Sequence, residues 1–522
     1  MSKEEKVETT EKTTEKSQKK VGEESAKTGK SKANKRAKVI KTLKIMGYII
    51  CALQLVAGIL AGIYLRKLNV LPTKYLVIAG VVYLVITGVF FLMQKWLVPG
   101  IIAKFLSLIV SGITIIACNY IGYTYDQMQE MVGVVTKVDN VQVYVLKEDP
   151  AEDVMDAKDY TFGILGTQDR ENTDIVRYEI EVEVGKELVV VEYEGVSELI
   201  QGLYDQEVQA VILNSAYVNF VEENENYGDF LDKVKSIAYK DIETEVVVDP
   251  QEVPEEYLYN GDRVFTVYVS GIDTTGSPNV TSRSDVNILI TVNLDTRQIL
   301  MISTPRDYYV PLSISNGVKD KLTHAGIYGI DVSKDTLGML YGVQVDDYVK
   351  INFTGFEEII DELGGITVYS DYAFSWGGCN FKKGSNELNG KEALLFARCR
   401  YAFADGDRQR GRNQMAVIEA VINKMVSSDM LYNYTEVLEA ISDSMITSMT
   451  YDEISELVKF QLNDMRGWDI ISYSVNGFDS SGTTYSMGNF TAYVMIPDEA
   501  TVEQAKEYLR AMYAGEKIVI EE

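Results

Sequence analysis

Residues 282–307 read "SRSDVNILITVNLDTRQILMISTPRD", two apolar strands bracketed by charge. Residues 293–296 carry the turn signal between them. Extended backbone sends alternate side chains to opposite faces. Arg283, Asp285 and Asn287 are therefore expected on a polar face, with Val286, Ile288, Ile290 and Val292 on an apolar one. Arg306 and Asp307 close the second strand. A solvated hairpin with surface ion pairs accounts for this stretch taken alone. Arginines set at the ends of buried strands to meet an anion account for it equally.

Around this pair, residues 262–515 alternate strand and helix patterns. "VFTVYVSG" and "DYVKINF" read as strands; "VSKDTLGMLYG" and "TGFEEIIDELGG" read as helices ending in glycine. "NGKEALLFARCR" and "RQRGRNQMAVIEAVINKM" are also helical, and the segment closes with "WDIISYSV", "FTAYVMIP" and the helix "VEQAKEYLRAMYAG". The alternation implies an α/β sandwich with a mixed central sheet flanked by helices. Residues 125–255 form an earlier, smaller α/β unit. There "VQVYVLKED", "YTFGIL", "YEIEVEVGKELVVVEYE" and "VQAVILN" read as strands, while "VSELIQGLYD" and "FLDKVKSIAY" read as helices. "VVDPQEVPEEYLYNGD" reads as the linker between the two units.

Upstream lie three apolar runs, 45–65, 75–94 and 105–123, each about the 20 residues that span a bilayer. They follow an arm, residues 1–44, of Lys, Glu, Thr and Ser whose composition implies disorder. The arm carries +7 and the remainder of the chain −34. A basic arm favours a cytoplasmic N-terminus, and three spans then place everything after residue 124 outside the cell. The acidic remainder argues against a nucleic-acid-binding body. A single histidine, His324, excludes hydrolases built on several imidazole ligands. It reads as a structural or pocket-lining residue. Cys51 and Cys118 fall within apolar runs, which leaves Cys379 and Cys399 as the candidate pair for a disulfide in an exported domain.

Helical periodicity locates a candidate site. The apolar stripe Val417, Ile418, Val421, Ile422 and Met425 extends backward to Gln414, Asn413 and Arg410. The preceding helix runs through Leu394 and Ala397 into Arg398, with Arg400 two residues on. Charges on core-like faces need partners, and a guanidinium fork binds phosphate oxygens two at a time. With Arg283 and Arg306, five arginines stand at ends of apolar elements in one domain, beside Asp273 and Asp285. Two carboxylates with several arginines suit a pyrophosphate and Mg²⁺, which is held by one or two carboxylates and completed by water and phosphate.

"SGIDTTG", "SRSDVNILITVN", "STPRD", "VKDKLTHAGIYG", "INFTGFEEIIDELGGI", "LNGKEALLFARCRY" and "DGDRQRGRNQMAVI" resemble, in order, the motif series of LytR-CpsA-Psr proteins. Residues 125–250 resemble the accessory domain of capsule-type members. Asn413 departs from the arginine of many members, and Cys399 from a polar position. The resemblance implies an extracytoplasmic, membrane-anchored transferase. It would move a glycopolymer from undecaprenyl pyrophosphate to peptidoglycan, to the C6 hydroxyl of N-acetylmuramic acid, forming a phosphodiester. It further implies that Asp273 and Asp285 hold Mg²⁺ and that Arg283, Arg306, Arg398 and Arg400 clamp the pyrophosphate. Arg410 and Gln414 would complete the pocket, with Lys321 on the same anion. The expected partners are the polyisoprenyl-linked glycopolymer, peptidoglycan and membrane lipid, with no nucleic acid. A lipid-pyrophosphate hydrolase and a non-enzymatic membrane-bound regulator are the alternatives.

Overall fold

The computed structural model describes residues 3–131, 136–223, 227–245, 263–403, 406–427, 437, 440–441, 444–488 and 491–520. The expected linker at 247–262 lies outside the described residues. Two compact units separate, one formed by Met1–Asp126 with Ser455–Asn463 and the other by Gln127–Ile454 with Asp464–Glu522.

In the first unit, helices Lys3–Leu68, Thr73–Met93 and Leu97–Met131 include three segments long and apolar enough to cross a membrane: Asn34–Leu68, Thr73–Met93 and Leu97–Asp126. Their outward faces are apolar, with Leu53, Val85 and Ile116 all more than half exposed. The inward face is polar. Gln54 Nε2 donates to Thr87 Oγ1 at 3.0 Å and the Tyr83 hydroxyl donates to the Gln54 carbonyl at 2.8 Å. Such bonds hold helices together where apolar surface has no reason to leave lipid. The first helix begins at Lys3 and takes in the arm.

The second unit opens with a five-stranded sheet. Strands β1 (Thr136–Leu146), β2 (Thr161–Leu165), β3 (Val189–Tyr193), β4 (Ala210–Asn214) and β5 (Val234–Glu245) lie in the order β3-β2-β4-β1-β5. β2 runs parallel to β3 and β4, and β1 antiparallel to β4 and β5. Two sequence expectations fail here. The run 178–194, read as strand, is the helix Arg170–Val184 followed by β3. Its alternating Ile/Val and Glu also satisfy helical spacing, which buries Val176 and Ile180. "FLDKVKSIAY" makes one helical turn, Phe230–Lys233, and then becomes β5, where it completes the sheet beside β1.

The larger sheet contains β6 (Val264–Ile272), β7 (Ser284–Asn293), β8 (Gln298–Ser303), β11 (Asp347–Asn352) and two further strands, Met445–Thr447 and Asp469–Ser474. A short antiparallel pair, β9 (Tyr309–Pro311) and β10 (Lys319–Lys321), lies outside it. The order is Met445–Thr447, β11, β6, β7, β8, Asp469–Ser474. β11 is parallel to β6 and β8 to Asp469–Ser474, whereas β6, β7 and β8 pair antiparallel. This is the expected mixed sheet.

Helices cover both its faces. Tyr268, Leu289, Leu300 and Ile302 pack with residues of helices Ile330–Tyr341 and Glu499–Tyr513. On the other face Ile288, Ile299 and Met301 pack with Met415 of helix Asp407–Met425. The supposed solvated face of β7 is consequently buried. Asn287 is 2% exposed, accepting from the Tyr268 hydroxyl at 2.7 Å and donating to the Ser284 carbonyl at 3.0 Å. Thr266 Oγ1 lies 2.8 Å from Thr291 Oγ1 and 2.9 Å from the Tyr513 hydroxyl, so the polar row is satisfied internally.

Candidate active site

The ends of β7 and β8 and the start of helix Asp407–Met425 line a half-open cleft. Its lining includes Asp285, Ser303, Thr304, Arg306, Arg408, Arg410 and Gln414. The helix sits this close to β8 because Gly411 has no side chain: a Cβ there would stand 2.7 Å from Ser303 Oγ. The helix therefore presents its N-terminal turns to the cleft, with peptide N–H groups and a positive dipole end that favour an anion.

Beneath the cleft runs a chain of charges. Arg306 Nη1 lies 3.0 Å from Asp285 Oδ1, and Arg306 Nε 3.6 Å from Asp307 Oδ2. Lys321 Nζ meets the other Asp307 oxygen at 3.4 Å. Thr323 donates twice, its hydroxyl to Asp285 Oδ1 at 3.2 Å and its N–H to the Arg306 carbonyl at 2.8 Å. Asp307 and Lys321 are both nearly inaccessible. This network holds Arg306 and Lys321 in place before any ligand arrives.

The remaining expected residues sit differently. Asp273 follows β6, in which Ile272 is in register with Ser284, so it stands at the same sheet end as Arg283 and Asp285. Its carboxylate lies 3.5 Å from Arg398 Nη2, both side chains half exposed, and the Arg398 guanidinium covers the Phe353 ring at 4.1 Å. Arg283 and Arg400 are not among the cleft's lining residues. Arg400 stacks near Tyr401 at 6.0 Å. It also acts on the Tyr493 phenol, whose pKa burial and the Asp479 hydrogen bond hold far above its ordinary value; Asp307 raises it further and Arg400 lowers it.

A family model described as the LytR_cpsA_psr family matches residues 226–510.

The chain belongs to that family.

Among relatives of this LytR_cpsA_psr chain, the "Polyisoprenyl-teichoic acid--peptidoglycan teichoic acid transferase TagU" of Enterococcus faecalis is 36% identical over 200 residues, 38% of this chain and 66% of that protein. The Bacillus subtilis protein of the same name is 34% identical over 204 residues, 39% of this chain and 66% of its own. That of Bacillus cereus is 31% identical over 258 residues, 49% and 81%. The chain thus spans slightly under two thirds of the first relatives it matches. Solved structures similar to it include "Crystal structure of B. subtilis TagU", with 29% identity, 50% and 100% of the two chains and a TM-score of 0.39. "TagT bound to LIIa-WTA" is 26% identical, covering 52% and 100%, with a TM-score of 0.41.

Two residues of the site are given no role by the sequence reasoning: Arg408, which lines the cleft, and Asp307, which lies beneath it. Arg408 lines the cleft and donates to the Gly477 carbonyl at 3.0 Å. It lies off the apolar stripe, because two residues before Arg410 is about 200° around the helix from it. Asp307 was visible as the last residue of "STPRD"; its signal was the arginine beside it. Asn413, the departure from the family pattern, has a structural duty: its amide donates to the Phe396 carbonyl at 3.2 Å and accepts from Gln409 at 2.9 Å.

The expected disulfide is a correction. Cys379 and Cys399 are both free thiols. Cys399 ends helix Gly390–Arg398 with its side chain fully buried in a core that includes Phe374, Phe381 and Phe396; burial pushes its thiol pKa up. Cys379 is half-buried in the hairpin turned by Gly377 and Gly378, at the rim of that core. Apolar packing takes up both sulfurs.

Proposed function

We propose that the protein is a membrane-anchored transferase that moves a glycopolymer from a polyprenyl pyrophosphate carrier to peptidoglycan on the extracytoplasmic face. The observation that carries this reading is the cleft: Arg306, Arg408 and Arg410 gathered under a helix N-terminus, with Arg306 braced by Asp285 and Asp307 in an otherwise acidic chain. Family membership and the relatives' printed names support the same chemistry.

In the step proposed, an acceptor hydroxyl oxygen attacks the phosphorus that bears the glycopolymer. A new P–O bond forms, the bond to the lipid-side phosphate breaks, and the carrier leaves as a polyprenyl monophosphate. The hydroxyl proton passes to a carboxylate, for which Asp273 is the candidate. Such transfer depends on positioning and charge neutralisation more than on a covalent enzyme intermediate. Arg306, Arg408 and Arg410 would hold the phosphate oxygens, with Gln414 donating an amide. Lys321 and Arg400 would act through their fields, with Arg283 and Arg398 beside Asp273 and Asp285 at the sheet end.

Asp273 and Asp285 fit a Mg²⁺ ion by their chemistry. Both are carboxylates at neighbouring register positions of one sheet end, and each already holds a cationic arginine. Among the described residues no group of three or more His, Cys, Asp or Glu gathers as a metal site, so water and phosphate oxygens would fill the remaining positions. When bound, the ion would neutralise charge on the pyrophosphate.

The test uses the full chain in nanodiscs with a polyprenyl-pyrophosphate-linked glycopolymer, Mg²⁺ and peptidoglycan fragments. The expected product is glycopolymer joined to peptidoglycan by a phosphodiester, lost on chelation. Free glycopolymer phosphate formed equally with and without acceptor would instead establish a hydrolase.

A further inference from the structure

Residues 319–324 connect two neighbourhoods. Lys321 and Thr323 turn toward the cleft, where they bind Asp307 and Asp285. Asp320 and His324, the residues before and after them, turn toward the smaller α/β domain. His324 Nδ1 lies 2.6 Å from Asp320 Oδ1, and since a carboxylate only accepts, the ring donates. The second Asp320 oxygen accepts from the Ser486 N–H at 2.8 Å and from the Ser486 hydroxyl. All three side chains are fully buried. The smaller domain supplies the walls: the Phe220 ring meets the His324 ring edge-on at a centroid distance of 4.4 Å, and Gln168 Nε2 donates to the Ser486 carbonyl at 3.3 Å. Ile327, Met487 and Ala492 of the larger domain belong to the smaller domain's own core.

We infer that the smaller domain is a positioning element for the anion site: Phe220 directly, and Gln168 through Ser486, fix the Asp320–His324 pair, and that pair fixes Lys321 and Thr323 against Asp307, Asp285 and Arg306. The backbone carries the connection. The Asp320 carboxylate accepts from the Lys321 N–H at 2.7 Å, and Thr323 N–H from the opposite side holds the Arg306 carbonyl. Rotating His324 or Asp320 would turn the same short segment that aims the lysine and the threonine. A domain that served only as a tether would need no buried hydrogen-bonded pair aligned with the cleft, since buried polar groups are costly unless satisfied. The inference rests on the reading of the cleft as a pyrophosphate site.

The experiment measures binding of inorganic pyrophosphate with Mg²⁺ by calorimetry, using the full chain in nanodiscs. The variants are Phe220→Ala, Phe220→Leu, Ser486→Ala and each alanine change combined with Lys321→Ala. Phe220→Ala and Ser486→Ala are expected to weaken binding about tenfold each, but less than about threefold once Lys321 is already alanine, because coupled residues are non-additive. Phe220→Leu, which keeps most of the volume, restores affinity. Folded variants with unchanged affinity, or losses that persist undiminished in the Lys321→Ala background, would overturn the positioning role. Should Phe220→Ala fail to fold, Gln168→Ala, alone and with Lys321→Ala, decides on the same criteria, since it removes the smaller domain's hydrogen bond to the Ser486 carbonyl. A wild-type chain that binds no pyrophosphate would overturn the cleft reading, and the inference with it.

Discussion

Arg306 shows how a single side chain can be held ready without being used up. Its carboxylate neighbours, Asp285 and Asp307, take part of its donor fork, and it still lines the cleft. Arg306→Ala is expected to slow transfer by about 2–4 kcal/mol of transition-state stabilisation, a loss of about thirtyfold to a thousandfold. The variant should still fold, since Lys321 keeps its contact with Asp307 and Thr323 its bond to Asp285. Lys350 illustrates the opposite case, a charge with a structural cost. It is half-buried on β11, its ammonium donates to the Val280 carbonyl at 2.9 Å, and desolvation pushes its pKa down from 10.5 to about 8, Lys137 lowering it further and Asp139 opposing. Between those two values the unfolded chain keeps a proton that the folded chain has lost, so this group makes stability rise with pH across that window. Below about pH 8 its full cost is present. Lys350→Met should therefore stabilise the protein most below pH 8, by at most about 3 kcal/mol, and the advantage should vanish toward pH 10.5. Denaturation of both proteins in detergent over that range checks it; an advantage independent of pH would assign the effect to packing.

At the scale of elements, close approach decides more than propensity. Gly390 opens the helix that ends at Arg398, and a Cβ on it would collide with the backbone carbonyl of Glu357 in the neighbouring helix Phe353–Glu362. Alanine is the better helix former by about 1 kcal/mol, yet Gly390→Ala is expected to destabilise by about 1–3 kcal/mol, because backbone cannot move aside as a side chain can. A denaturant midpoint equal to or above that of the parent would refute this. The same helices show how far sequence reading reaches. Asn389 and Glu392 form a capping box, and Gly342 and Gly364 take positive φ where terminating glycines were expected. Those signals are local, and they were legible. The helix Arg170–Val184 was not, because its Ile/Val–Glu alternation fits both periods and only packing chooses between them. The site divided along the same line. Residues on a stripe, such as Arg410 and Gln414, were found. Arg408 at a helix end, and the bonding of Thr323 to Arg306 across β9 and β10, depend on the tertiary fold.

For the whole molecule, charge and hydropathy make a claim about sidedness. The arm of +7 precedes three segments able to cross a membrane, and the rest carries −34. A reporter that works only outside the membrane, fused after residue 124, should be active; cytoplasmic activity at that point would overturn the proposed location and the substrate with it. The larger sheet adds a consequence about time. Gln298, at the start of β8, bonds Asp469 at a separation of 171 residues, and both main-chain groups of Ile518 at a separation of 220. The strand that covers β8 thus leaves the ribosome long after β8 itself. At about 5–20 residues per second the gap is roughly 10–30 s, during which β8 is an open edge rich in Ile, Leu and Met. Unpaired edges recruit other chains. The nascent protein's period of greatest hazard therefore falls in that interval, and a holding chaperone would serve it best by masking β8.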